Sequence, residues 1–260
     1  YINGPVVNLQ SQFNCDTPMT YYFNGNIKNA ERFYWDFGDG SVDSVISNPV
    51  HTYSSTGDYM VVLRAFNDTI GCSFFDTSFV YVRNVNSIFT ADITEICPGQ
   101  SVLFNGSLSQ DEAYFITDHA GLYLWNFGDS TKYRPQYTYD TITSVNISHI
   151  FKKRGTYLTS MMVQGVNGCI DFMYKTIKVY QPEVNFTADQ PVGCAPLNVQ
   201  FTDQTVSDTL ISTWFWTLGN GVTSTIQNPN NTYTETANFP VSLTVTDTLG
   251  CSKTRTKPSY

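Results

Sequence analysis

The sequence predicts an all-β chain built as three sandwich domains in series, and three observations carry that prediction. The first is composition. Of 260 residues, 18 are Phe, 17 Tyr and 4 Trp, and only 14% are charged. Thr, Ser, Asn and Val stand where long helices need Leu, Ala, Glu and Lys. The second is repetition: a segment centred on a tryptophan occurs at Trp35, Trp125 and Trp216, with spacings of 90 and 91 residues. The third is periodicity. Tyr59-Met60-Val61-Val62-Leu63-Arg64-Ala65-Phe66 and Val241-Ser242-Leu243-Thr244-Val245-Thr246 alternate with the period of two of half-buried strands.

Each repeat presents its parts in the same order. Tyr34-Trp35-Asp36-Phe37-Gly38-Asp39-Gly40 has counterparts in Leu124-Trp125-Asn126-Phe127-Gly128-Asp129-Ser130 and Phe215-Trp216-Thr217-Leu218-Gly219-Asn220-Gly221. The tryptophan sits in a strand and is expected to pack between two sheets, and the following Gly and Asp make a tight turn. Next come Asn48-Pro49-Val50-His51-Thr52-Tyr53, Ser148-His149-Ile150-Phe151 and Asn228-Pro229-Asn230-Asn231-Thr232-Tyr233. Gly57-Asp58-Tyr59 and Gly155-Thr156-Tyr157 then have the spacing of a corner in which the phenol closes back on the backbone. These units place domains at 1–84, 85–181 and 182–260, each large enough for its own core. The junctions are short and lack a Gly/Ser tract, so neighbouring domains are expected to form a semi-rigid, extended rod.

The Trp-Asp-Phe-Gly-Asp-Gly turn, the Asn-Pro-x-His-x-Tyr segment and the Gly-x-Tyr-x-Val-x-Leu strand resemble the PKD domain, an immunoglobulin-like β-sandwich. The resemblance covers nearly the whole chain. It is strongest in the first repeat, in Trp35, Asp36, Gly38 and Asp39. The second repeat keeps Trp125 and Asp129 but has Ser130 for the last Gly, and the third keeps Trp216 with Thr217 and Asn220 at the Asp positions.

Six cysteines fall two to a repeat: Cys15 and Cys72, Cys97 and Cys169, Cys194 and Cys251, separated by 57, 72 and 57 residues. Fifteen connectivities are open to six cysteines. The repeat logic favours three intradomain disulfides, on the expectation that both cysteines of a sandwich lie at one pole. Metal binding is the rival, but no Cys-x-x-Cys or His-containing ligand spacing accompanies them. Disulfides imply an oxidising compartment and hence export. One cysteine pair per repeat, with Gly before the second, resembles the PKD arrays of large Bacteroidota surface proteins. That resemblance implies export by the type IX system, outer-membrane association, and a role such as gliding adhesin. The Asp-Ser/Thr-apolar tripeptides resemble that phylum's O-glycosylation acceptor and nominate Ser44, Thr69, Thr141, Thr209 and Thr248; the competing reading is that Asp-Thr is common in β-turns.

Little else suggests chemistry. A net charge of −8 leaves no basic face for nucleic acid or an anionic membrane, and no apolar run is long enough to span a bilayer. No Gly-x-Ser-x-Gly, His-Glu-x-x-His or phosphate-cradling loop occurs, so an enzyme is not expected. His51 and His149 share a repeat position and read as packing or hydrogen-bonding residues. Asp36 and Asp39 read as turn residues, since the third repeat keeps neither; a calcium site at such loops is conceivable, though no dense Asp-x-Asp-x-Asp run supports it. Two loops have grown in the second repeat, carrying Tyr114, Phe115, His119 and Tyr123, then Tyr133, Tyr137 and Tyr139. Of these, Tyr114, Phe115, His119, Tyr133, Tyr137 and Tyr139 are the candidate binding residues, because loops on a rigid sandwich carry function.

The expectation is therefore a non-catalytic stalk or spacer of a large exported protein serving adhesion or gliding. Its partners would be neighbouring domains of the same chain, other surface proteins or polysaccharide. The alternative is a carbohydrate- or protein-binding accessory module of a secreted polysaccharide-degrading enzyme. The first residues lack an initiator Met and a signal peptide, Tyr1-Ile2 resembles the close of a last strand, and Pro258-Ser259-Tyr260 stops near the same phase. Both ends look cut from a continuing array.

Overall fold

The computed structural model describes residues 4–107, 109–111, 122–133, 146–165 and 167–259, and among them there is no helix. Domain 1 runs through β1 (Val6–Phe13), β2 (Thr20–Lys28), β3 (Arg32–Asp36), β4 (Val42–Asp43), β5 (Val50–Thr52), β6 (Gly57–Asn67) and β7 (Cys72–Val82). Its two sheets have the orders β1-β2-β5 and β4-β3-β6-β7, with antiparallel pairing throughout.

Domain 2 contains β8 (Val85–Asn86), β9 (Thr90–Ala91), β10 (Glu95–Ile96), β11 (Ser101–Asn105), β12 (Gln110–Asp111), β13 (Leu122–Asn126), β14 (Lys132–Tyr133), β15 (Ile147–Ile150), β16 (Gly155–Gln164) and β17 (Ile170–Val179). The orders are β15-β11-β9 and β10-β17-β16-β13-β14, and β8 pairs with β12. Domain 3 comprises β18 (Phe186–Ala188), β19 (Leu197–Asp203), β20 (Ile211–Thr217), β21 (Thr223–Ser224), β22 (Asn230–Tyr233), β23 (Val241–Asp247) and β24 (Ser252–Lys257), ordered β18-β19-β22 and β21-β20-β23-β24. Tandem all-β sandwiches are what the alternation and the threefold tryptophan predicted.

Every core centres on its tryptophan. Trp35, Trp125 and Trp216 are fully buried, each in a separate apolar cluster. Trp125 meets Phe89 edge-on at 5.0 Å, Phe104 at 5.7 Å, and lies parallel to Phe127 at 6.3 Å. The next turn explains why one glycine persists in all three repeats and the other does not. Gly38, Gly128 and Gly219 have φ near +80°, and a Cβ there would come within 2.7–2.9 Å of the backbone oxygen of Met60, Leu158 or Pro240. Both the conformation and the close approach demand glycine. Gly40 has φ +91° but open space around it, so Ser130 takes the equivalent place at φ 74° with only the conformational cost.

The corner tyrosines behave as the spacing predicts. Tyr59 donates to the Ser55 carbonyl at 3.0 Å and Tyr157 to the Lys153 carbonyl at 2.8 Å. A second phenol bonds the carbonyl of the turn: Tyr53 donates to Phe37 O at 3.1 Å, and Tyr233 to Leu218 O at 2.8 Å. Domain 2 has Phe151 at this place, without a hydroxyl. There, Thr159, where domain 1 has Val61, donates its Oγ1 to the orphaned Phe127 carbonyl at 3.3 Å from a fully buried position. Removing that donor leaves a buried carbonyl unpaired. Thr159→Val is therefore expected to destabilise domain 2 by about 1–3 kcal/mol in denaturant unfolding, and adding Phe151→Tyr to restore most of it.

Candidate functional site

Chemistry-bearing side chains gather first at the turn after each tryptophan. Asp36 caps the turn by accepting the Gly38 N–H at 3.0 Å. Asp39 accepts the Ser41 N–H at 3.0 Å, the Ser41 hydroxyl, and the His51 ring at 2.8 Å, and the ring stacks on Phe37 at 4.2 Å. Burial pushes the Asp39 carboxyl up, but the bonds from Ser41 and His51 outweigh it and hold the group at about 2. Domain 2 repeats the arrangement with Asp129, Thr131 and His149, and Asp129 is likewise held below the ordinary carboxylate range.

A serine, a histidine and an aspartate in contact invite comparison with a hydrolytic triad, but the geometry differs. Ser41 lies 3.2 Å from the same nitrogen, Nε2 of His51, that bonds Asp39. A relay needs the carboxylate on one ring nitrogen and the hydroxyl on the other. The cluster instead clamps the β3–β4 turn onto β5. In domain 3, which lacks the histidine, Asn231 fills its place and is buried. Among the described residues, no group of three or more His, Cys, Asp or Glu is placed to hold a metal ion.

The cysteines form the second assembly, and here the sequence reading is corrected. The bonds are Cys15–Cys169 and Cys97–Cys251, with Cα–Cα distances of 5.5 and 5.2 Å, each spanning 154 residues and each joining consecutive domains. Cys72 and Cys194 are unbonded and exposed. The within-repeat pairs Cys15–Cys72, Cys97–Cys169 and Cys194–Cys251 do not form.

The reason is the length of the last strand of each sandwich. In domain 2, Cys169 immediately precedes β17, while Cys97 follows Ile96, whose partner is Val179 at the far end of that strand. Ten residues of strand put the two sulfurs about 30 Å apart, whereas a disulfide needs Cα atoms within about 7 Å. Domain 1 repeats the layout: Cys72 opens β7, and Cys15 follows the Phe13–Tyr21 pair, whose Tyr21 hydroxyl donates to Tyr81 O near the end of β7. In domain 3, Cys251 precedes β24, and Gly193 beside Cys194 lines one cleft with Ser259 beyond that strand's end. The second cysteine of each repeat thus marks the pole where the chain enters, and the first marks the pole where it leaves.

Polar contacts accompany each staple. At the first junction, Asn167 donates to the Arg83 carbonyl at 3.3 Å and Asp171 accepts the Ser87 N–H at 2.7 Å. Arg83 is itself buried, donating to Gly57 O at 2.9 Å and pairing with Asp58. At the second junction, Arg154 pairs with Asp208 at 2.8 Å and with Glu183.

Of the candidate binding residues, Tyr114, Phe115, His119, Tyr137 and Tyr139 lie outside the described residues, and Tyr133 is placed only by its backbone, opposite Trp125 in the β13–β14 pair. The structure draws attention to aromatic residues the sequence reading passed over. Phe75, Phe79 and Tyr81 stand exposed on one face of β7, and Phe172 and Tyr174 stand exposed on β17, 6.2 Å apart. Their alternation with buried Val80 and Val82, or with Ile177 and Val179 further along, is the signal that places them on the solvent face. Domain 3 carries Ser252, Thr254 and Thr256 in the corresponding strand.

Of the candidate glycosylation residues, Ser44, Thr69 and Thr248 are exposed, Thr209 is half-buried, and Thr141 lies outside the described residues. Their aspartates serve turns and contacts: Asp43 accepts the N–H groups of Val45 and Ile46, Asp68 pairs with Arg32, and buried Asp247 accepts the Thr209 hydroxyl and the Cys251 N–H.

Comparison with known proteins gives three matches to one family. The PKD domain family model matches residues 3–82, 87–180 and 179–259. Among solved structures, the chain is similar to the PKD1 domain of Vibrio anguillarum Epp, at 31% identity over 30% of this chain and 88% of that one (TM-score 0.27). It is also similar to the PKD1 domain of the Vibrio cholerae metalloprotease PrtV, at 32% identity over 30% and 91% (TM-score 0.27). A tetra-tandem repeat from the extending region of a large adhesion protein matches at 13% identity over 96% of this chain and 72% of that one (TM-score 0.32).

Proposed function

Since the chain belongs to the PKD domain family three times over, we propose that it is a non-catalytic structural segment, a stalk or spacer of an exported cell-surface protein serving adhesion or gliding motility. One observation carries the reading: consecutive domains are joined twice, once by the peptide linker and once by a disulfide. A hinge between sandwiches is free to bend about a single strand of chain, and a second covalent link beside that strand restricts the freedom. Such a junction suits a part that must transmit force or hold a tip at a distance. The disulfides suit an oxidising exterior, and type IX export and outer-membrane association are part of this proposal.

Antibodies raised against domain 1 are expected to label intact producing cells, and their Fab fragments to reduce attachment or surface movement. Labelling that appears only after lysis would overturn the reading. The accessory-module alternative is favoured by the exposed Phe75, Phe79 and Tyr81 face, a platform on which sugar rings or a protein could stack.

A further inference from the structure

Domains 2 and 3 differ in charge at the pole where the chain enters. Two residues after the entry cysteine, domain 2 has Asp171, which accepts the Ser87 N–H at 2.7 Å and closes the first junction. Domain 3 has Lys253 at the same step from Cys251. Their strand partners, Val163 and Val245, are both fully buried, so the register is shared. Lys253 and Arg255, opposite Val245 and Leu243, therefore lie on the core-facing side of β24, about 7 Å apart. Both are nevertheless exposed, because the short β18 reaches along β24 only to Lys257, which donates to Phe186 O at 2.6 Å.

A cleft of about 630 Å³ opens there at the second junction, lined by Lys253, Arg255 and Arg154 together with Gln181, Asn185 and Gln204. Small-ligand sites commonly measure about 300–1,000 Å³. Arg154 is committed to Asp208 and Glu183. Lys253 and Arg255 have no carboxylate partner among the described residues, and Arg255 reaches only Val184 O at 3.5 Å. The side-chain amides of Gln181, Asn185 and Gln204 make no hydrogen bond among the described residues either. Two neighbouring cations without a counter-charge repel each other, and an anion in the cleft would relieve that repulsion.

We propose that this cleft binds an acidic polysaccharide through a hexuronate unit, with Lys253 and Arg255 taking the carboxylate and the three amides taking ring hydroxyls. A guanidinium presents paired donors that match the two carboxylate oxygens, and the ammonium adds a point charge beside it. Each amide both donates and accepts, as a sugar hydroxyl does. A neutral glycan would leave the cations unpaired, and an acidic peptide would leave the amides without hydroxyls. The inference stands on the cleft alone, goes beyond the stalk reading, and holds or fails separately from it.

The test is calorimetric titration of the 260-residue chain with oligogalacturonate. Binding is expected at low salt and is expected to weaken as salt rises, while the fully methyl-esterified oligomer, the same sugar without its charge, does not bind. Lys253→Gln and Arg255→Gln are each expected to weaken binding about tenfold, since each removes a charge-assisted hydrogen bond. Gln204→Ala is expected to weaken it about threefold through lost hydroxyl contacts. Lys28→Gln, at an exposed lysine of domain 1, leaves binding unchanged. All four positions are exposed, so the unfolding midpoints of the variants are expected to match that of the unaltered chain. No binding of oligogalacturonate, equal binding of the esterified oligomer, equal binding of poly-glutamate of the same length, or undiminished binding in either Lys253→Gln or Arg255→Gln would each overturn the proposal.

Discussion

Stretched from its two ends until every domain has unfolded, the oxidised protein is expected to reach roughly 340 Å, against roughly 900 Å once its disulfides are reduced. The limit follows from the path of the load. Force entering at residue 1 crosses from Cys15 to Cys169, runs back through domain 2 to Cys97, crosses to Cys251 and leaves at residue 260. Only about 95 residues lie on that path. Three intradomain bridges would give a different limit, roughly 270 Å, since the two linkers would carry the load and every domain would be short-circuited. Single-molecule force spectroscopy with and without reductant distinguishes the three lengths. Each bridge also closes 154 residues of chain, which disfavours the unfolded state by roughly 5 kcal/mol on the loop-entropy account.

The second large effect concerns the centre of the array. Trp125→Ala is expected to cost domain 2 about 3–5 kcal/mol, because the indole is fully buried among Phe89, Phe104 and Phe127 and its loss leaves a cavity. Against a typical domain stability of about 5–15 kcal/mol, that moves one unfolding transition to markedly lower denaturant while the transitions of domains 1 and 3 stay in place. Phe172→Ala, on the exposed face of β17, is expected to change stability by no more than about 0.5 kcal/mol. A shift of all three transitions together in the Trp125 variant would show that the domains do not possess separate cores.

The fold was legible because its determinants are local. Alternation along β6 and β23, the glycine of each turn and the Gly-x-Tyr corner all act within a few residues; the alternation and the turn glycine recur in all three repeats and the corner in the first two, in the same order. The cysteine pairing was not legible by that logic. Two cysteines per repeat is a local fact, but which ones meet depends on the strand between them and on how one domain's exit pole docks on the next. Cys97 and Cys169 share a repeat yet sit at opposite ends of β17. A signal was nonetheless present: Cys15 to Cys169 and Cys97 to Cys251 span the same 154 residues, whereas spacings within repeats vary with the length of the second repeat. The exposed aromatic faces went unremarked for a related reason. Loop growth in the second repeat shows as added length in the sequence, whereas Phe79 and Tyr81 differ from the buried Val80 and Val82 only in the side of the strand they occupy.

The replacement of a phenol by Thr159 in domain 2 shows the same limit on a smaller scale. Phe151 for tyrosine looks like a lost hydrogen bond in the sequence, and only the packing shows a hydroxyl from the neighbouring strand reaching the same carbonyl. The repeats preserve the satisfaction of a buried group and vary the residue that provides it.

The most direct test of the covalent junctions is disulfide mapping of the native protein, alkylated before digestion without reductant. The structure predicts cross-linked peptides containing Cys15 with Cys169 and Cys97 with Cys251, and none joining two cysteines of one repeat. Recovery of Cys15–Cys72, Cys97–Cys169 and Cys194–Cys251 would contradict the stapled array and return the chain to three domains joined by their linkers alone.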